Sequence, residues 1–194
     1  MAQPQAVGRL LPSGLSAAGQ LLDALDGLQL ERLGQPPYAS RELHGYVSLP
    51  LERWCFSMDI ARDHLIFTQP GGWSGNETYL ELGCGLGTKM RLAQLLGWQV
   101  AGIELHEPLA DHCRGLGLAC ESADAREFEE YRFFDLVYWY RLCTDLQAER
   151  ELLAYVSGLM RPGALLFHAG DPPPVGLEHL GGEVWFAGGG GSRR

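Results

Sequence analysis

From residue 78 onward the chain repeats one pattern, a short apolar run, a turn and an amphipathic stretch, and that alternation constrains the fold more than any other feature. Residues 78–82 read as a strand, 89–96 as a helix closed by Gly97, 100–103 as a second strand and 108–116 as a second helix of this region. A short third strand at 118–121 follows, then a nearly wholly apolar strand at 134–139, as a strand covered on both faces must be. The longest helix of this region, 146–160, is turned by Arg161-Pro162-Gly163 into a fifth strand at 164–168. Such alternation predicts an α/β fold: a doubly wound, mostly parallel sheet with right-handed crossovers and helices on both faces.

Two helices are expected ahead of it. Leu21, Leu22, Leu25, Leu28 and Leu30 approximate a stripe over 16–33, stopped by Gly34 and Pro36-Pro37. Trp54, Met58, Ala61 and Leu65 share a face over 51–67, ended by Pro70-Gly71-Gly72. Past Gly170 the pattern decays; Pro172-Pro173-Pro174 forces an extended or turned segment, and only 183–187 reads as a later strand. The expected organisation is an N-terminal helical extension at 1–76, a core at 77–187, a shortened C-terminal end and a low-complexity tail at 188–194. A length of 194 residues, 46% hydrophobic and 20% charged, suits one folded domain.

Gly83, Gly85 and Gly87 stand between the first strand and its helix, where a backbone must turn sharply and approach a ligand without Cβ atoms in the way. The helix behind them offers unpaired N–H groups. The dinucleotide fingerprint GxGxxG needs glycine at position 88, and Thr88 stands there, which disfavours a nicotinamide-dependent oxidoreductase. Glu104 ends the second strand at about the 20-residue spacing expected of an acidic ribose ligand.

The stretch Glu81-Leu82-Gly83-Cys84-Gly85-Leu86-Gly87 resembles the first motif of class I S-adenosylmethionine-dependent methyltransferases: acidic residue, x, Gly, x, Gly, x, Gly. The resemblance runs from Tyr79 to Gly170 and implies a Rossmann-like sheet holding S-adenosylmethionine across the carboxyl ends of its strands. It makes Gly83, Cys84, Gly85 and Gly87 a bed for the methionine part, with Glu81 reaching the amino group directly or through water. It assigns the ribose to Glu104 with Leu105 beside it, and the adenine to Asp124 and the backbone of Ala125, with Glu121 competing for Asp124's part. Tyr138, at the end of the fourth strand, completes the cofactor lining.

Methyl transfer from a sulfonium needs alignment and sometimes removal of a proton, so no obligatory triad is expected. The resemblance places the working residues after the fourth strand, where Tyr138-Trp139-Tyr140-Arg141 stands. Tyr140 and Arg141 suit an acceptor carboxylate or phenol, Trp139 an aromatic wall near the sulfonium, and His168 a general base, each against the alternative of simple packing. Tyr38, His44, Tyr46 and Trp54 precede the core, where relatives often carry a lid.

The amino-methylating signature Asn/Asp-Pro-Pro-aromatic is absent, and the net charge of −9 repels phosphate backbones, so nucleic acid is disfavoured as substrate. A small molecule or a protein group is expected instead. Five cysteines without a CxxC pair indicate thiols in a reducing, cytoplasmic setting, and no apolar run is long enough for a membrane helix. His106 and His112 do not share a helix face and no other group has ligand spacing, so no metal is expected. The short C-terminal end leaves the acceptor pocket either open or completed by a second copy, a homodimer; it also sustains the rival reading of a non-catalytic binding or assembly partner.

Overall fold

The computed structural model describes residues 12–33, 49–69, 71–170, 174 and 176–188. Among the described residues five helices and seven strands follow one another as α1 (Pro12–Leu33), α2 (Leu51–Thr68), β1 (Thr78–Leu82), α3 (Thr88–Leu95), β2 (Gln99–Glu104), α4 (Glu107–Gly115), β3 (Ala119–Ser122), β4 (Leu136–Tyr140), α5 (Leu146–Leu159), β5 (Leu165–Ala169), β6 (Glu178–Gly181) and β7 (Val184–Phe186). A 3-10 turn at Glu130–Phe133 leads into β4. The strands form one sheet in the order β3-β2-β1-β4-β5-β7-β6. The first five are parallel, and β7 inserts antiparallel between β5 and β6.

Apolar residues alternate across this sheet and generate two cores. On one face Tyr79, Tyr138 and Phe167 pack with Trp54, Met58 and Leu65 of α2 and with Met90 and Ala93 of α3. On the other, Leu80, Leu82, Val137 and Trp139 pack against Leu152, Leu153 and Val156 of α5. Strands buried on both faces are what parallel pairing under helices requires. Local chemistry sets the element ends: Asp145 caps α5 by accepting from the Ala148 N–H at 2.9 Å, and Pro108 occupies the first turn of α4.

The edge opposite the strand ends is locked by polar bonds. Asp135 accepts from the Thr78 N–H at 2.8 Å and from its hydroxyl at 2.9 Å, and also pairs with Arg161, joining the starts of β1 and β4. The carboxyl edge is left for other uses.

The C-terminal end corrects the expectation of a single late strand. Two strands form there, because β6 is an edge whose Glu178 and His179 are exposed, so it carries no apolar alternation to read. The candidate lid residues Tyr38, His44 and Tyr46 lie outside the described residues. Trp54, by contrast, is fully packed in the α2 core.

Candidate functional site

The sheet order reverses direction between β1 and β4, since β1 leads outward to β2 and β3 while β4 leads the other way to β5. Crossovers then leave opposite faces and open a crevice at the carboxyl ends of those two strands, the general position for ligands in such sheets. The loop after β1 forms one wall and the segment after β4 the other.

The first wall is Gly83 to Gly87, where all three glycines have left-handed backbones, φ +63°, +55° and +74°. A side chain at any of them would be strained. Gly87 is also sterically required: a Cβ there would stand 2.6 Å from Leu118 and 3.0 Å from the Cys113 sulfur. Gly83 is exposed at the crevice, and Leu142 from the opposite wall reaches over it, 2.3 Å from where a Cβ would be. That contact is the end of one leucine side chain, so the bed is covered by a movable group and not by backbone. Arg141, with φ 49°, makes the turn that brings Leu142 there.

Glu104 faces this loop. Its carboxylate accepts from the Gly85 N–H at 2.8 Å and from the His106 N–H at 2.9 Å, so it spans the mouth between β1 and β2. Burial raises its pKa, opposed by those two N–H donors. Glu81 lies deeper, opposite Gly102 and Tyr138 in the sheet, and accepts from the Tyr79 hydroxyl at 3.1 Å. Burial pushes its carboxyl up to about 8, with the Tyr79 bond and the charge of Lys89 working the other way. Lys89 is itself buried, with its ammonium 5.9 Å from the Trp54 ring, and burial lowers its pKa. The donor set is thus two inward carboxylates beside a glycine bend, which fits a ligand carrying vicinal hydroxyls and positive charge.

Residues 80–168 match the family model for the methyltransferase domain. The match covers just under half of the chain. The matched segment contains the glycine motif and β1 through β5 but for their outermost residues. No curated protein matches the chain.

Solved structures similar to the chain include DesVI of Streptomyces venezuelae, 20% identical with a TM-score of 0.46, over 76% of this chain and 56% of that one. Phosphoethanolamine N-methyltransferase 2 of Haemonchus contortus, in complex with S-adenosyl-L-methionine, is 20% identical with a TM-score of 0.46, over 59% of this chain and 27% of that one. Geranyl diphosphate C-methyltransferase of Streptomyces coelicolor is 19% identical with a TM-score of 0.44, over 61% and 46%. The chain therefore spans about half, or less, of the length of these structures.

The remaining expected residues distribute unevenly. Leu105 is partly exposed just past Glu104. Asp124 lies two residues beyond β3 with both carboxylate oxygens on the Arg126 guanidinium, which lowers its pKa. The Ala125 carbonyl accepts from the Tyr131 hydroxyl at 2.6 Å, and Glu121 is exposed on the outer strand. Tyr138 is buried against Tyr79 and Phe167 in the α2 core, beneath the crevice.

On the second wall a cavity of about 170 Å³ is lined by Arg141, Cys143, Thr144, Glu149, His168 and Gly170. Two of the three expected acceptor-side residues thus meet. Tyr140 stands at the end of β4, half-buried, with the Arg141 guanidinium 5.4 Å from its ring centre. Trp139 does not form a wall near the crevice: strand alternation turns it to the α5 face, where it is fully buried and its indole N–H donates to Glu149 at 2.8 Å.

Glu149 was not foreseen. Its second oxygen accepts from the Cys143 N–H at 2.9 Å, and its first lies 3.9 Å from His168 Nδ1, so one buried carboxylate holds the segment after β4 and borders the histidine. The signal was present, since Glu149 falls on the Leu152, Leu153 and Val156 stripe of α5, where a charge has no place unless it is used. Also unforeseen was the bond from the Thr88 hydroxyl to Asp26 of α1 at 2.7 Å, which brings the first helix to the glycine loop.

Proposed function

We propose that the chain is an S-adenosylmethionine-dependent methyltransferase acting on a small molecule or a protein group. The observation that carries this reading is Glu104, a buried carboxylate held on the glycine bend that walls the reversal point of the sheet. Its two oxygens suit the two ribose hydroxyls, which would replace the backbone donors that occupy them. Gly83, Cys84, Gly85 and Gly87 would carry the methionine part once Leu142 turns aside, and Glu81 its amino group. A carboxyl raised to about 8 gains a strong partner when an ammonium enters. Leu105, Tyr138, Asp124 and Ala125 are proposed around the adenosine, with Asp124 leaving Arg126 to do so.

The bound cofactor supplies an electrophilic methyl group on a sulfonium. The chain's own contribution is then positional. Arg141 is exposed at the rim and suits an anionic part of the acceptor, with Tyr140 beside it. His168 is proposed to take a proton from the acceptor, with Glu149 near enough to favour the resulting imidazolium. Residues 1–76 are proposed as a cover; the Asp26–Thr88 bond supports that, because it ties α1 to the start of α3. Among the described residues no helix is long and apolar enough to cross a membrane. Five free cysteines suit a reducing cytoplasmic setting.

The test is formation of S-adenosylhomocysteine with a panel of carboxylic acids, phenols, amines and proteins as acceptors. Turnover that depends on an acceptor, and that falls at least about tenfold in His168→Gln or Arg141→Ala, is the expected result. Cofactor binding without turnover across the panel would contradict transfer.

A further inference from the structure

Three cysteines far apart in sequence meet behind the glycine loop. Cys84 belongs to the loop itself, Cys113 to α4 and Cys120 to β3, and their sulfur atoms all lie within 4.8 Å of one another. Cys84 is 3.4 Å from Cys120 and 4.0 Å from Cys113. Three thiolates around one ion, at metal–sulfur bonds of about 2.3 Å, stand about 4 Å apart. The cluster therefore has ion-binding dimensions with little rearrangement.

The surroundings make room for it. Gly102 of β2 sits under the group, and a Cβ there would be 2.7 Å from the Cys84 sulfur and 2.6 Å from the thioether sulfur of Met90. The absent side chain thus brings a fourth soft donor over the same spot as Cys84. Cys84, Cys113 and Met90 are buried, whereas Cys120 is partly exposed and offers an entry from the surface. The Arg114 guanidinium, 3.3 Å from the Cys120 carbonyl, stands near that entry and offsets part of the thiolate charge.

We propose that Cys84, Cys113 and Cys120 form a binding site for one soft metal ion of the monovalent copper type. An all-sulfur set of three thiols with a thioether beside it, and no imidazole or carboxylate in the set, is what such an ion selects over harder cations. Binding converts the thiols to thiolates, with their protons released to solvent. Because Cys84 is part of the glycine bend, the ion would brace that bend from behind, tying it to α4 and β3.

The experiment is an anaerobic titration of the fully reduced chain with monovalent copper, in competition with a coloured chelator of that ion. The expected result is one equivalent held per chain, with a thiolate-to-copper absorption in the near ultraviolet. Cys120→Ser, at the exposed corner, should weaken binding at least about tenfold, while Cys55→Ser, on α2 outside the cluster, binds like the parent. Alkylation with and without the ion, followed by mass spectrometry, gives a readout independent of any variant's folding: Cys120, at the exposed corner, should be modified in the ion-free chain and protected in the loaded one, with Cys55 modified in both. The proposal is overturned if no equivalent is retained, if Cys120→Ser retains it unchanged, or if the ion leaves Cys120 as reactive as before. None of these outcomes depends on S-adenosylmethionine binding.

Discussion

Glu81 is the residue at which burial and charge conflict most sharply, and the conflict has a measurable sign. Its carboxyl is raised from 4.5 to about 8 by burial, so the folded chain holds that proton more tightly than the unfolded one. The stability this contributes is complete below about 4.5 and is lost as pH rises through about 8. Glu81→Gln keeps the shape without that loss. In urea unfolding, the variant should therefore gain at least about 1 kcal/mol on the parent between pH 5 and pH 9. An equal gap at both pH values would show that Glu81 does not titrate in this range. At this scale the sequence was informative wherever a residue's place follows from local spacing. Glu81, the glycines and Glu104 stand where the motif puts them. Glu149 and the Cys84–Cys113–Cys120 group were illegible as sites, because their partners come from elements that only the sheet order brings together.

Among the elements, the segment after β4 depends on α5 through a single side chain. Glu149 accepts from the Trp139 indole and from the Cys143 N–H, both out of contact with solvent. Glu149→Ala leaves two buried donors without an acceptor, at about 1–3 kcal/mol each. Denaturant unfolding should register at least about 2 kcal/mol, more than a surface glutamate such as Glu151 costs; a loss below about 0.5 kcal/mol would mean that water takes over the carboxylate's place. The type of β1, β2, β4 and β5 was readable because each carries its own apolar run and turn. The strand β6 was not, since an exposed edge is built from backbone pairing with β7 and needs no apolar pattern. For Trp139 the packing alternative holds, because β4 runs on to Tyr140 and strand alternation fixes position 139 on the α5 face.

For the molecule as a whole, function follows from where the sheet reverses. The Asp135 bonds close the amino edge, while the carboxyl edge carries the glycine bend and Glu104 on the β1–β2 side of the reversal and Arg141 and His168 on the β4–β5 side. Alternation alone implied a doubly wound sheet, but the strand order that sets the crevice between β1 and β4 is a property of the assembled chain. The most direct measurement is calorimetric titration with S-adenosylmethionine and S-adenosylhomocysteine. The account predicts one site per chain for each, with affinity reduced at least about tenfold, some 1.4 kcal/mol, in Glu104→Ala. Failure of both ligands to bind at about millimolar concentration, or unchanged affinity in Glu104→Ala, would contradict it.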